Sequence, residues 1–326
     1  MPLAARSALL PALLVAAASL NARAADDGVL LKWKFKPGDS SRFVGSQDMQ
    51  ANTKARGLSQ EVAMKQTSDI RWVVDSIDDD GNAHITQTVQ RLRVETGPVG
   101  DTIKYDSDDD KVPEGADEAQ IEAMRIGVNQ PLNLVLDPLG KVVDVRLSDQ
   151  FAKRLKESPH YGQLAMMYSR ENLKQMASMI TVELPAKPIA KGATWEQQTS
   201  VTDPLAGKQK VTTTYRYDGT EEHDGRQLDK ISATAKISFN DDNKDENLLP
   251  QPSIKDQKMN GVIWFNRKAG RVEETQLTSK VVTEATIGMS KVERTLVIKQ
   301  STRLANDADA EPAKKPVAKA SDSEDL

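Results

Sequence analysis

Apolar residues recur at every second position along much of this chain, and that spacing constrains the fold more than any other feature. Leu31, Trp33 and Phe35 alternate with Lys32, Lys34 and Lys36. Ile70, Trp72 and Val74 repeat the pattern, as do Leu132, Leu134 and Leu136, then Val143, Val145 and Leu147. Further runs are Val211 to Tyr217, Ile231 to Phe239, Val281 to Met289, and Val292, Leu296 and Ile298. Successive side chains of a strand point to opposite faces, so period two predicts strands with one apolar and one wet face. One-sided strands of this kind belong to antiparallel sheet, not to parallel sheet buried on both faces. Asp78-Asp79-Asp80-Gly81-Asn82 and Asp137-Pro138-Leu139-Gly140 predict hairpin turns between them. The return strand from Ala83 to about Val94 shifts its apolar phase between Val89 and Leu92, which predicts a bulge or a twist there.

Helical signals are confined to the middle. Ser148 is placed to cap a helix carrying Phe151 and Leu155 at i, i+4. Ser169 is placed to cap another, with Glu171 in its first turn and Leu173, Met176 and Ile180 as an apolar stripe. A weaker helix is expected from Asp117 to Ile126. The chain therefore reads as mainly β and antiparallel, with two similar twisted sheet halves, residues 25–147 and 183–304, joined by a helical segment at 148–182. The halves share an order of features: Trp33 against Trp195, a turn at Gly81 against one at Gly225, and hairpins at Gly140 and Gly270. The last two align as LNLVLDPLGKVVDV and GVIWFNRKAGRVEE. Internal duplication accounts for this; so does the general likeness of antiparallel hairpins.

The ends read differently. Residues 1–24 carry Arg6, an apolar run from Ala8 to Leu20, and small residues at Ala22 and Ala24. This is the pattern of a secretory signal peptide, with cleavage expected after Ala24 and a periplasmic or extracellular destination. The run is shorter than the roughly 20 residues a bilayer span needs. No other long apolar run exists, so no transmembrane segment is expected after cleavage. Residues 305–326 hold only two large apolar side chains, Val317 and Leu326. They cannot offset the entropy of ordering and are expected to be a disordered tail.

Composition narrows function by exclusion. The net charge is -4, and loss of Arg6 and Arg23 with the leader takes it to about -6. That balance argues against a nucleic-acid partner. Aromatic residues make up 4% of the chain, too few for a large sugar or nucleobase groove. There is no Cys, hence no disulfide, thiolate metal site or Cys nucleophile; about 300 residues can bury enough core without one. The three histidines, His84, His160 and His223, have no metal-ligand spacing and read as surface residues. No nucleophile elbow, P-loop or dinucleotide turn occurs. Asp241, Asn243 and Asp245 follow the first half of a calcium loop, but Glu246 stands where Gly is needed and Pro252 where Glu is needed. They read as a solvated loop, as does the acid run from Asp106 to Asp110. Met166, Met167, Met176 and Met179 gather in the helical segment, as core or as an adaptable apolar surface. The residues thus indicate no catalytic, metal or cofactor site.

Three segments, WKFKPGDSSRFVGSQ, LPAKPIAKGATW and GVIWFNRKAGRVEETQL, together resemble an uncharacterised family of secreted bacterial proteins known as a domain of unknown function. The resemblance follows the order of these motifs along nearly the whole chain after the leader and implies no activity, cofactor or catalytic residue. The reading is an exported, non-enzymatic envelope protein that binds a hydrophobic ligand, such as a lipid, or a protein partner. A cup for that ligand would be lined by Leu31, Trp33 and Phe35 and by Val281, Ala285 and Ile287, with the Met-bearing helix as a lid. The alternative is a secreted hydrolase that uses carboxylates of the acid loops; a third reading gives the acidic tail an assembly role.

Overall fold

The computed structural model describes residues 28–109, 111–203, 207–239, 252–287, 289–306 and 309. The expected signal peptide, the second acid loop with its calcium-like spacing, and most of the expected tail lie outside them. The described residues form a mainly β structure, one antiparallel sheet of twelve strands that is not closed, with four short helices.

The sheet is two meanders that meet at its centre. The first strand, β1 (Ser40–Ala55), pairs with the last, β12 (Ser290–Leu304). On one side of this seam follow β2 (Leu58–Ile77), β3 (Ala83–Pro98), β5 (Pro131–Leu136) and β6 (Val142–Leu147). The short β4 (Ile103–Asp106) also pairs with β3, beyond the stretch that β5 occupies. On the other side follow β11 (Arg271–Ile287), β10 (Ser253–Asn266), β9 (Arg226–Phe239), β8 (Gly207–His223) and β7 (Thr194–Asp203). The two β-rich stretches are thus continuous in one sheet. The matched hairpins occupy unlike places in it: β5–β6 forms one edge, and β10–β11 lies inside the other half.

Local chemistry builds the turns. Asp78 accepts the backbone N–H groups of Asp80 and Asn82, and Gly81 supplies the left-handed residue, φ 81°. Asp137 does the same for Leu139 and Lys141. The phase shift in β3 is a bulge at Gln90: Asp69 pairs with Arg91 but Ile70 with Val89. The freed Val89 carbonyl accepts the N–H of Asn129, which ties the loop after the first helix to the sheet.

The helices α1 (Glu118–Ile126), α2 (Asp149–Glu157) and α4 (Arg170–Ile180) are capped by the side chains of Asp117, Ser148 and Ser169. Sequence periodicity missed α3 (Tyr161–Met167), which has only seven residues and no side-chain cap. Helix α4 determines the shape. It meets the edge strand β6, where Lys174 donates to the Val143 carbonyl at 3.0 Å and Arg170 pairs with Asp144. It also meets the opposite edge strand β7, where Gln197 donates to the Ser178 carbonyl at 3.4 Å. One helix can touch both outer strands only if the sheet curls and brings them toward each other. The curl gives the sheet an inner face, and α4 lies against both of its outer strands.

Residues 28–39 correct one expectation. The alternation from Leu31 to Phe35 predicted a strand, but the segment crosses the inner side as an extended strap outside the sheet. Val29 pairs with Ile189 just before β7, and Trp33 N–H bonds the Pro138 carbonyl of the β5–β6 turn. Lys34 N–H bonds the Gly270 carbonyl of the β10–β11 turn, and Gly38 N–H bonds the Val74 carbonyl of β2. Extended backbone gives the same two-residue period whether or not it joins a ladder. The strap's apolar side faces the core: Leu31 and Trp33 are buried with Val182, Leu184, Ile231 and Phe265. Gly140 and Gly270 both abut this strap. A side chain at Gly140 would strike the Trp33 indole, and one at Gly270 would strike Lys34.

Candidate functional site

The inner face of the curled sheet is a trough. Its rows can be read from the pairing of β2, β1 and β12, starting at the end the helices cover. Phe43 lies opposite Ile70. Gly45 lies between Ser68 and Thr302, Gln47 between Gln66 and Gln300, Met49 between Met64 and Ile298, and Ala51 between Val62 and Leu296. β11 extends the rows with Thr275, Leu277, Ser279 and Val281. Residues two apart share a face, so these rows all point into the trough.

Beneath the helices the trough encloses a cavity of 590 Å³. Its sheet wall includes Phe43, Ile70, Trp72 and Leu132; its roof includes Ala123 and Met124 of α1, Phe151 of α2, Met167 of α3 and Leu173 of α4. A second cavity of 290 Å³ continues along β7 to β12, with Tyr215, Ile237, Leu277, Val281, Leu296 and Ile298 in its wall. The two share Val272, Thr275, Gln300 and Thr302, so they are compartments of one trough. Sites for small apolar ligands have this size and this predominance of hydrophobic lining.

The wall is held by partnered groups. Trp72 donates its indole N–H to Gln87 at 2.8 Å and meets Phe43 edge-on at 5.5 Å. Tyr168 packs against Phe151 with ring centres 5.0 Å apart, and burial pushes its phenol pKa up. Tyr215 donates to Gln197 at 2.9 Å; burial, aided by the charge of Glu183, raises its pKa to about 12. Among the described residues the only ionisable carboxylate in the lining is that of Glu273, and it is saturated. It accepts from Arg226 at 2.7 Å, Asn266 at 3.0 Å and Arg271 at 3.3 Å.

The expected lining is found only in part. Trp33 and Val281 line the trough. Leu31 is sealed in the core below the strap and Phe35 packs between two core clusters, because the strap turns its apolar side toward the sheet. Ala285 lies beyond the cavities on β11, and the side chain of Ile287 is outside the described residues. Of the methionines, Met167 reaches the lining and Met166 is exposed; the side chains of Met176 and Met179 are outside the described residues. Met124 and the central Gln47, Gln66 and Gln300 were missed. The glutamines interrupt an apolar run and carry no motif, so only the cross-strand register brings them together.

The ionisable candidates lie elsewhere. His84 sits in β3 near Asp78, and His160 precedes α3. His223 is more than a surface histidine: its ring stacks on Trp264 at 4.0 Å, and Nε2 is 2.8 Å from a Glu274 oxygen. Asp224 completes a group with ligand atoms within 4.8 Å, but the His223–Glu274 hydrogen bond satisfies both partners as it stands. In the first acid loop, Asp106 accepts two hydrogen bonds from Arg91, which hold its carboxyl below the usual carboxylate range.

The model of a family of unknown function, DUF6263, matches residues 80–272, more than half of the chain. No curated protein matches. Among solved structures, one of lipovitellin, described by its lipid–protein interactions, is 12% identical with a TM-score of 0.46; the match covers 86% of this chain and 27% of lipovitellin. Pseudomonas aeruginosa OpdL is 7% identical with a TM-score of 0.19, covering 82% of this chain and 99% of that one. A DUF1329 family protein from Desulfovibrio piger is 10% identical with a TM-score of 0.15, covering 83% and 88%. At these scores the functional reading rests on the trough alone.

Proposed function

The chain belongs to the DUF6263 family, and we propose that it is an exported, non-enzymatic carrier that holds one hydrophobic small molecule of lipid type in its trough. The observation that supports this is the helix-roofed cavity of 590 Å³, continuous with a second one and walled by apolar side chains of up to six strands. A close-packed interior leaves few voids larger than a water molecule. A trough of this size, with Gly45 and Gly261 in its floor, is a space for a ligand. Export is read from the leader-like residues 1–24.

Native mass spectrometry of the protein recovered from an exporting host tests the reading, with solvent extraction to identify any adduct. The expected result is a reproducible lipid-mass adduct on the native protein. Thr302→Trp places an indole where both compartments meet, opposite Gly45, and should abolish the adduct; Thr302→Ser should keep it. The absence of adducts, together with no binding of added neutral lipid, would sink the carrier reading.

A further inference from the structure

Gln66, Gln47 and Gln300 lie side by side on β2, β1 and β12, one amide per strand in a single cross-strand row. All three line the larger cavity and all are half-buried. Among the described residues, none bonds to their side-chain amides. Gln130, at the same cavity, is 6% exposed, and its Oε1 has no hydrogen-bond partner. A buried amide oxygen without a partner, as at Gln130, is unusual in folded proteins because it forfeits bonds it would make in water. The half-buried row amides are open to water or a ligand. Every primary amide offers two N–H donors and a carbonyl acceptor. The row therefore presents amide donors and acceptors to the cavity, next to the hydroxyls of Ser68 and Thr302.

Charge sets the second condition. Among the described residues, neither cavity is lined by Lys, Arg or His, and the one lining acid, Glu273, is already bonded to Arg226 and Arg271. An anionic head group would enter a low-dielectric space with no counter-charge, beside a carboxylate. A cationic one would find Glu273 taken. Burying an unpaired charge costs far more than burying a hydrogen-bonded neutral group.

We infer that the trough selects an uncharged amphiphile, its head carrying hydroxyl, ester or amide groups that bond the Gln66–Gln47–Gln300 row. Its apolar tail lies in the helix-roofed chamber among Phe43, Trp72 and Phe151. This deepens the carrier reading and rests on it.

Three probes with the same ten-carbon chain separate the terms: 1-decanoylglycerol, methyl decanoate and, at pH 8, decanoate. Binding to the full chain is read from tryptophan emission, since Trp33 and Trp72 line the cavity. Decanoylglycerol should bind at least about tenfold more tightly than decanoate, and more tightly than methyl decanoate, which has no donor. Gln300→Leu should weaken decanoylglycerol more than methyl decanoate and so reduce the preference between them. Decanoate binding as tightly as decanoylglycerol, in the unsubstituted protein, overturns the inference and leaves the carrier reading standing. So does an unchanged preference in folded Gln300→Leu. Failure of all three probes, and of the neutral dye N-phenyl-1-naphthylamine, removes the carrier reading and this inference with it.

Discussion

Replacing Gly270 by Ala tests whether the strap holds the two halves of the sheet together. Gly270 sits at φ +68°, a left-handed conformation that costs a residue with a Cβ about 1–2 kcal/mol. The added methyl would also overlap the Lys34 side chain and come within 2.6 Å of its backbone nitrogen. That nitrogen cannot withdraw freely, because it donates to the Gly270 carbonyl at 2.8 Å. Overpacking of this kind costs about 1–3 kcal/mol. Gly225 provides the control: it has φ +71° in the β8–β9 turn, and nothing lies within 4 Å of where its Cβ would stand. Gly225→Ala should therefore show only the conformational cost, offset in both variants by the same loss of unfolded-state freedom. The difference between the two variants should be about 1–3 kcal/mol in urea unfolding followed by tryptophan fluorescence, at equal slopes. If Gly270→Ala is no more destabilising than Gly225→Ala, the strap is not packed on the hairpin and its bridging role is wrong.

Three further outcomes follow from the same structure. Phe265 is fully buried against Trp33, so Phe265→Ala should cost about 3–5 kcal/mol in the same unfolding assay. Tyr215, with its pKa raised by burial from 10.0 to about 12, stays neutral in the folded protein after an unfolded one would ionise. Its stabilising contribution is complete below pH 10 and is lost as pH rises through 12, which the tyrosinate absorbance will show as a late component that Tyr215→Phe removes. Asp309 is held at about 2, below its usual 3.8, chiefly by hydrogen bonds from Arg303 and then from the Asn306 N–H. A depressed pKa stabilises above 3.8 and fades as pH falls through 2, so a carboxyl carbon titration of Asp309 by NMR should have its midpoint near 2, and Arg303→Gln should return it toward 3.8.

Much of the fold could be read from the sequence because it depends on local rules. Period two along Val211 to Tyr217 and Ile231 to Phe239 gave adjacent strands β8 and β9, and the caps at Ser148 and Ser169 gave α2 and α4. Even the bulge at Gln90 showed as a phase shift. What local rules do not carry is which element each strand meets. The pairing of β1 with β12 joins residues some 250 positions apart. No periodicity records that choice.

The same limit governs the site. Leu31, Trp33 and Phe35 were expected to line a cup because an apolar face in a sheet must be covered. The strap is itself the cover: its apolar side points at the sheet, its backbone bonds three separate turns or strands, and Trp33 alone reaches the cavity. Gln47, Gln66 and Gln300 look like ordinary polar interruptions in their own strands. They become a row only when β12 closes against β1, so their chemistry is a property of register. A one-residue slip of β1 or of β12 would send that strand's glutamine to the outer face and bring Asp48 or Lys299 inward. The long ladders on either side of the seam hold that register, and with it cavity linings without Lys, Arg or His among the described residues.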